Sequence, residues 1–202
     1  MNRRGVTRET ADVRRQSLVD AAASCLAERG AAGTSVRAIC ARAGVSPGLL
    51  RHYFDGIDAL IAETYRMIVG RVSATLSEAT DAAGPEPRAR LIAFITASFR
   101  PPISDASLLA TWLAFWSLVK TEPMIAAIHA ETYRGYREQL EALLADQGVP
   151  GRQVGPVAIA LTALVDGLWL ERSLDPTTFT PAEAGAMAIR WLDTLLEKPA
   201  FD

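Results

Sequence analysis

The chain has little of what metal-binding, disulfide-bonded or membrane-spanning proteins need. Its 202 residues include two cysteines and two histidines. Cys25 and Cys40 stand in apolar surroundings without CxxC or Cys/His spacing, so we expect buried thiols and no bound metal. No stretch reaches the ~18 uninterrupted apolar residues that cross a bilayer, and the arginine-rich start lacks the apolar segment of a signal peptide. We therefore expect a cytoplasmic protein with no membrane partner.

The chain also lacks the short motifs that carry catalysis. It has no HExxH or ExxH metal motif, no GxSxG nucleophile turn and no glycine-rich phosphate loop. Its carboxylates are not spaced as in a di-iron helical bundle. We expect no catalytic residue and no cofactor, and the chain is predicted not to be an enzyme.

The charge of the chain is divided unequally along its length. The net charge is −2, but residues 1–53 carry nine arginines and four acids, which gives +5 and leaves −7 for the remainder. A basic first quarter on an acidic body favours a polyanionic partner that docks at one end, because the acidic body alone would repel nucleic acid. The alternative is that the charged residues are distributed along the chain by chance.

Apolar residues recur at helical spacing through nearly the whole chain, and no two-residue alternation typical of strands is present. We predict an all-α fold of about nine helices. Gly30 with Gly33 and then Gly44 are expected to end the first two helices, while Ser46 caps the third. Thr180-Pro-Ala-Glu183 has the spacing of a capping box, which opens the last helix.

Residues 35–53 carry the most informative pattern. A short amphipathic helix with Val36, Ile39 and Cys40 on its inner face is followed by a tight turn at Gly44 and a second short helix. Two short helices joined by such a turn form a helix-turn-helix, whose second helix projects outward. A projecting helix fits the major groove of DNA, which is about 12 Å wide.

The second helix has side chains suited to DNA. Gly48 lets the backbone approach closely, and Arg51 can bond O6 and N7 of guanine, a pair worth ~1 to 3 kcal/mol of discrimination. His52 and Tyr53 can donate to phosphate oxygens, which fixes position more than sequence. The alternative for Tyr53 is a buried ring with only its hydroxyl exposed.

The full set predicted to contact DNA lies on both helices and the turns before them. Leu49 and Leu50 cannot both face DNA, so one of them is expected in the core. The predicted contact residues are Thr34, Ser35, Arg37, Ser46, Pro47, Gly48, Leu49, Arg51, His52 and Tyr53.

The start of the chain adds further arginines to this basic end. Arg3, Arg4 and Arg8 are predicted to form a flexible arm, and Arg14 and Arg15 to open the first helix. All five are expected to add phosphate or minor-groove contacts. We predict a DNA-binding domain with a basic arm over residues 1–56 and a ligand-binding and dimerisation domain over 57–202.

The run from Thr34 to Phe54 resembles the DNA-binding signature of the tetracycline-repressor (TetR) family. The specific parts are Ala-Gly-Val-Ser at 43–46, Gly48, and His-Tyr-Phe at 52–54. The family usually opens the fourth helix with a lysine that contacts phosphate, whereas this chain has Asp55 and Gly56. The resemblance implies a transcriptional repressor that binds a palindromic operator as a homodimer and is released by a small-molecule inducer.

Two later runs, residues 112–116 with 123–124 and residues 163–170, resemble the branch of the family typified by the choline-responsive repressor of betaine synthesis. With the first signature, the resemblance covers most of residues 12–196. It implies that the last two helices pair with those of a second subunit, and that a ligand cavity lies among the middle helices. The predicted dimer-interface residues are Leu161, Leu164, Val165, Leu168, Met187, Trp191 and Leu195.

Aromatic side chains of the body suggest a cationic effector. Trp112 and Trp116 lie one helical turn apart on one face, and an aromatic face attracts a quaternary ammonium by ~0.5 to 2 kcal/mol. The predicted ligand-binding residues are Trp112, Phe115, Trp116, Tyr133, Tyr136 and Trp169, with Glu131, Asp166 or Glu171 as the counter-charge. The alternatives are that these aromatics pack the core and that Asp166 caps or bridges a subunit interface.

A helical adaptor that binds another protein and no DNA is the competing function. Amphipathic helices alone fit it equally well. It does not explain the unequal charge or the outward Arg-His-Tyr helix, so a DNA-binding regulator is the preferred interpretation.

Overall fold

A computed structural model describes the backbone of residues 3–197 and the side chains of residues 11–197. This part of the chain contains nine helices and no strand, which confirms the all-α prediction. The helices are α1 (Arg3–Gly33), α2 (Val36–Ala43), α3 (Pro47–Tyr53), α4 (Gly56–Ala82), α5 (Pro87–Ala97), α6 (Ala106–Leu118), α7 (Pro123–Asp146), α8 (Gly151–Leu174) and α9 (Pro181–Glu197).

The predicted helix ends are confirmed where the backbone needs a special residue. Gly30 has φ 64° and ψ −176°, which interrupts α1 just before its end at Gly33. Gly44 follows α2 in the left-handed conformation, with φ 65°, and its N–H donates to the carbonyl of Cys40. Glycine is favoured there because a Cβ destabilises the left-handed conformation.

Helix α1 begins earlier than the sequence suggested. Its backbone is helical from Arg3, whereas the first eight residues were expected to form a flexible arm. That segment contains no proline and several good helix formers, so its local propensity permits the extension. The side chains of Arg3, Arg4 and Arg8 lie outside the described residues.

The chain forms two compact units. The first comprises Met1–Ile68 and Ala110–His129, and the second comprises Val69–Leu109 and Ala130–Asp202. Helices α4, α6 and α7 each pass from one unit into the other along the chain. The boundary between residues 56 and 57, which the sequence suggested, stays a prediction.

The core of the first unit joins the helix-turn-helix to α1. Leu50 of α3 and Ile39 of α2 are fully buried with α1 residues in one apolar cluster. Burial of a leucine or isoleucine contributes roughly 1.5 to 3 kcal/mol each. The other fully or largely buried members of the cluster are Leu18, Val19, Ala21, Ala22, Cys25, Cys40, Phe54 and Leu60.

The second unit is built on α9, which packs against α5 and α8. The predicted capping box is confirmed at the start of α9. The Glu183 N–H donates to Thr180 Oγ1 at 3.2 Å, and the Thr180 N–H donates to Glu183 Oε2 at 2.7 Å. Trp169 of α8 donates its indole N–H to the carbonyl of Ser98 at 2.9 Å.

Helix α8 is the one helix of the described residues that is long and apolar enough, by length and composition alone, to cross a membrane. Its most apolar stretch is partly buried within the chain. Apolar core helices of soluble proteins pass the same test, so this property is weak evidence for a membrane span.

Substitution Gly44→Ala tests the turn between α2 and α3. The left-handed conformation costs a residue with a Cβ about 1 to 2 kcal/mol, so the free energy of unfolding falls by that amount. Gly70→Ala is the matched control, because Gly70 lies within α4 at a site where a Cβ meets no atom within 4 Å. The control gains ~0.5 to 1 kcal/mol of stability. Urea denaturation at one protein concentration measures both, and equal effects would contradict the account of the turn.

Candidate nucleic-acid interface

Hydrogen bonds at both sides of the turn fix the relation between α2 and α3. The Val45 N–H donates to the carbonyl of Cys40 at 3.0 Å, directly after the glycine that ends α2. Ser46 then caps α3, with its hydroxyl accepting from the Leu49 N–H at 3.3 Å, and Pro47 occupies the first turn. Proline suits that position because the N–H that it lacks has no partner within the helix. The third helix therefore starts at a defined residue and in a defined direction.

One face of α3 is anchored in the core. Leu50 is the inward leucine of the pair, since it is 0% exposed whereas Leu49 is half-buried. Phe54, which follows the helix, is also buried, and its N–H donates to the Leu50 carbonyl at 2.9 Å. Because α3 has only seven residues, these anchors fix its rotation about its own axis.

The opposite face of α3 is open to solvent. Ser46, Pro47, Gly48, Arg51 and His52 are exposed. The Tyr53 ring is half-buried and lies edge to face against His52, with ring centroids 5.1 Å apart. Five of the sequence-predicted residues at this helix are therefore exposed, whereas Leu49 and Tyr53 are half-buried and Tyr53 packs against the apolar cluster.

The predicted residues before and within α2 lie at its N-terminal end. Ser35 caps α2 by accepting from the Ala38 N–H at 3.2 Å, and Arg37 is exposed in the first turn. Thr34 is half-buried and donates its hydroxyl to the Gly30 carbonyl at 2.8 Å. These hydroxyls have local roles that hold them in place.

The space around Gly48 is informative because the fold does not require a glycine there. A Cβ at this position would meet only Ser46 Oγ, at 3.8 Å, which is an ordinary contact. Its φ lies outside the positive range that favours glycine. Alanine is the better helix former by about 1 kcal/mol, so the chain's own structure gives no reason for glycine.

Two arginines near this surface are engaged in ion pairs. Arg42 at the end of α2 pairs with Glu28 of α1. Arg15 of α1 pairs with Glu63 of α4 at 2.9 Å. Sequence reasoning assigned Arg15 to DNA and missed its carboxylate partner, which lies 48 residues further along the chain.

Three of the predicted ligand residues lie in the first unit. Trp112 and Phe115 are buried around Tyr65, which the sequence analysis did not single out. Phe115 stacks on Tyr65 with centroids 4.2 Å apart, and Trp112 meets its edge at 5.8 Å. Trp116 is half-buried, and its indole N–H is buried without a hydrogen-bond partner among the described residues.

The other three predicted ligand residues lie in the second unit. Tyr136 packs against Phe94 with centroids 5.0 Å apart, and Trp169 is buried. Burial raises the pKa of the Tyr136 hydroxyl, an effect that the Ser98 side chain partly opposes. The pKa of Asp166 is raised to about 6 by burial, and a hydrogen bond from Tyr133 partly opposes that rise. A partly buried carboxylate therefore lies among aromatic residues.

The predicted dimer-interface residues differ in exposure. Leu161 and Val165 are buried within their own chain, so their side chains do not face outward. Trp191 of α9 is 54% exposed, and the remaining four, Leu164, Leu168, Met187 and Leu195, are half-buried. Sequence reasoning missed the exposed apolar residues of α8, which are Ile159, Leu170 and Leu174. Their spacing of 11 and 15 residues places them near one line along a helix.

The second unit also has a cleft of about 460 Å³ at the start of α9, lined in part by Phe99, Arg100 and Ile189. A smaller cleft of about 280 Å³ is lined in part by Phe94 and Asp146. None of the six predicted ligand residues lines either cleft.

Comparison with known proteins assigns a family to both parts of the chain. Residues 18–64 match the bacterial regulatory proteins of the tetR family, and residues 87–197 match the C-terminal region of BetI-type transcriptional repressors. The HTH-type transcriptional regulator BetI of Burkholderia thailandensis is 35% identical over 186 residues, which cover 92% of this chain and 94% of that protein.

Solved structures agree with that assignment. A proposed transcriptional regulator from Pseudomonas aeruginosa PAO1 is 42% identical, with a TM-score of 0.84 over 92% of this chain and 91% of that one. A second such regulator, from Saccharomonospora viridis and in complex with choline, has a TM-score of 0.77 at 18% identity over 89% of this chain and 95% of that one. The second likeness concerns the fold alone.

These matches agree with the helix-turn-helix, its exposed third helix and the all-α body. Together they favour a DNA-binding regulator over a helical adaptor and over an enzyme. The chain belongs to the TetR family of transcriptional regulators and is similar in its body to BetI-type repressors.

Proposed function

We propose that the chain is a cytoplasmic, ligand-responsive repressor that binds a palindromic operator as a homodimer and is released by a small-molecule inducer. The observation that carries the DNA-binding part is the division of α3 into a face anchored by Leu50 and a face that is open to solvent. An anchored helix with a free polar face can enter the major groove without rearrangement of the domain.

The proposed contacts divide into base reading and positioning. Arg51 reads a guanine, and Gly48 allows close approach of the helix backbone. His52, Tyr53 and Arg37 donate to phosphate oxygens. The remaining proposed contacts, Thr34, Ser35, Ser46, Pro47 and Leu49, lie on the same two helices and the turns that precede them.

The proposed dimer rests on the apolar surfaces of α8 and α9. Ile159, Leu170 and Leu174 of α8 and Trp191 of α9 are large, apolar and exposed. Exposed apolar side chains gathered on neighbouring helices favour an interface. Met187 and Leu195 lie about one turn on either side of Trp191, and the half-buried Leu164 and Leu168 of α8 are also proposed for the interface, while Leu161 and Val165 are buried within the chain. Two recognition helices about 34 Å apart then read two half-sites of one palindrome.

The proposed effector is a small organic cation. Tyr133, Tyr136 and Trp169 lie in the same unit as the partly buried carboxylate of Asp166, and aromatic faces with a counter-charge attract a quaternary ammonium. The choline bound by the Saccharomonospora viridis regulator agrees with that chemistry. Trp112, Phe115 and Trp116, which lie in the first unit, stay sequence predictions for the same role.

The proposed switch acts through the helices that belong to both units. Helix α4 carries Tyr65 in the first unit and continues to Ala82 in the second. A ligand that favours one arrangement of α4 changes the spacing of the two recognition helices in the dimer, so the operator is released by a difference in affinity between two states.

Substitution Gly48→Ala tests whether α3 approaches DNA. The substitution increases helix propensity, so the free energy of unfolding rises by ~0.5 to 1 kcal/mol. Operator affinity falls about 5- to 150-fold, as expected when an added methyl group costs ~1 to 3 kcal/mol at a close contact. Fluorescence anisotropy with labelled operator measures the affinity, and Gly70→Ala is the control that gains stability without losing affinity. Unchanged operator binding by Gly48→Ala would contradict the proposed docking.

Substitutions Trp191→Asp and Ile159→Asp test the proposed interface. A buried, unpaired carboxylate raises the dissociation constant of the dimer by ~10- to 100-fold. Analytical ultracentrifugation across a concentration series measures it. Met124→Asp is the matched control, because Met124 is 47% exposed but lies on α7, and its dimer constant stays unchanged. If all three variants dimerise equally, another surface forms the dimer.

Substitution Asp166→Asn tests the counter-charge. The native pKa of about 6 lies above that of an unfolded aspartate, so ionisation destabilises the folded state as the pH rises from about 4 through 6. Asp166→Asn is therefore more stable than the wild type at pH 7, and the difference shrinks as the pH falls towards 4.

Choline binding by Asp166→Asn, measured by titration calorimetry, weakens about tenfold or more. Glu171→Gln, an exposed carboxylate of the same helix, is the control and binds choline as the wild type does. Equal choline binding by Asp166→Asn and the wild type would refute this counter-charge.

A further inference from the structure

Arg15 of α1 lies at a junction of three helices within the first unit. Its guanidinium Nη2 is 2.9 Å from Oε1 of Glu63, which is two turns into α4. The same guanidinium lies over the ring of Phe54, 5.0 Å from the ring centroid. One side chain of α1 thus contacts both α4 and the residue that ends α3.

Phe54 links the Arg15 side chain to the recognition helix α3. It is the C-terminal cap of α3, in extended conformation with φ −136° and ψ 140°, and its ring is buried in the apolar cluster of the first unit. Tyr53, a proposed DNA contact, is the residue before it. A shift of the Phe54 ring therefore moves the C-terminal end of the exposed face of α3.

The charge around Arg15 is largely balanced within the chain. Glu63 also lies near Arg66, at 3.8 Å through its second oxygen, so this carboxylate holds one arginine on α1 and another on its own helix. A phosphate contact by Arg15 would have to compete with Glu63 and with the Phe54 ring. Arg14, the neighbouring residue, is exposed on α1.

We propose that Arg15 is a positioning residue for DNA recognition, which ties α1 to α4 and to the end of α3 through Glu63 and Phe54. It acts on the operator through the orientation of α3 and not through a phosphate contact. The proposal rests on the proposed binding of DNA by α3. Arg15 also connects α4, the helix proposed to move on ligand binding, to Phe54 at the end of the recognition helix.

The test compares operator affinity and its salt dependence in Arg15→Gln, Glu63→Gln and the double variant. Each phosphate contact that is lost lowers the slope of log affinity against log salt by ~0.9, whereas a positioning residue leaves that slope unchanged. Arg15→Gln is expected to bind the operator about three- to tenfold more weakly, since an ion pair and a cation–π contact of modest strength are lost, and Glu63→Gln about two- to fivefold more weakly, since the ion pair is lost. The double variant is expected to bind no more weakly than Arg15→Gln, because both substitutions break one linkage.

Two matched controls separate this linkage from general effects of charge. Arg14→Gln removes the same charge from the adjacent position, and it is expected to reduce the salt dependence of binding, since the sequence predicts a phosphate contact for Arg14. Arg66→Gln removes the second partner of Glu63 and leaves Arg15 in place, so operator affinity and slope stay near those of the wild type. Circular dichroism establishes that each variant is folded, and Arg15→Met, which keeps the apolar stem and removes the charge, replaces Arg15→Gln if the latter does not fold.

The Glu63→Gln variant distinguishes a positioning role of Arg15 from a phosphate contact, because the two roles predict opposite changes in operator affinity. If Arg15 contacts phosphate, the loss of Glu63 frees it and tightens operator binding, while Arg15→Gln or Arg15→Met reduces the salt dependence of binding and lowers the affinity independently of Glu63. That result overturns the proposal, as do additive effects of the two substitutions or unchanged affinity in both. A wild-type chain that binds no duplex DNA would instead refute the proposed function, which distinguishes the two failures.

Discussion

The burial of Leu50 is the interaction on which the rest of the site depends. A seven-residue helix has too few internal hydrogen bonds to be stable alone, so α3 exists because its inner face is fixed against α1 and α2. With Leu50 and Phe54 inside, Gly48, Arg51 and His52 are exposed, while Leu49 and Tyr53 are half-buried. The core of the domain thus determines which side chains are available to DNA.

The same arrangement explains why this unit needs both glycine and serine at its turn. Gly44 accepts a left-handed backbone that ends α2, and Ser46 supplies the side-chain oxygen that starts α3 two residues later. Together they allow two short helices to follow each other with almost no loop. The turn sets the direction of α3, and the core sets its rotation.

Local signals made the fold and the recognition helix predictable from the sequence. The helix breaks at Gly30 and Gly44, the caps at Ser46 and Thr180 and the helical apolar spacing each depend on residues close in the chain. The choice between Leu49 and Leu50 needed tertiary packing, because both occupy apolar positions of one turn. The partner of Arg15 lies 48 residues away, and no local pattern indicates it.

The body was less predictable because its helices are apolar on more than one face. In α8 the periodicity did not distinguish Leu161 and Val165, which the chain buries itself, from Ile159 and Leu174, which it leaves exposed. Trp112 and Phe115 are predicted ligand residues, yet both pack around Tyr65 of α4. Residue spacing within α6 does not show which residues of α4 it contacts.

The most direct test of the central claim is selection of duplexes from a random DNA pool by the purified chain, followed by sequencing of the bound fraction. The account predicts enrichment of an inverted repeat whose half-sites are centred about one helical turn apart, or a multiple of it. Recovery of sequences without an inverted repeat, or of no enriched sequence at all, would contradict recognition by two outward-facing copies of α3.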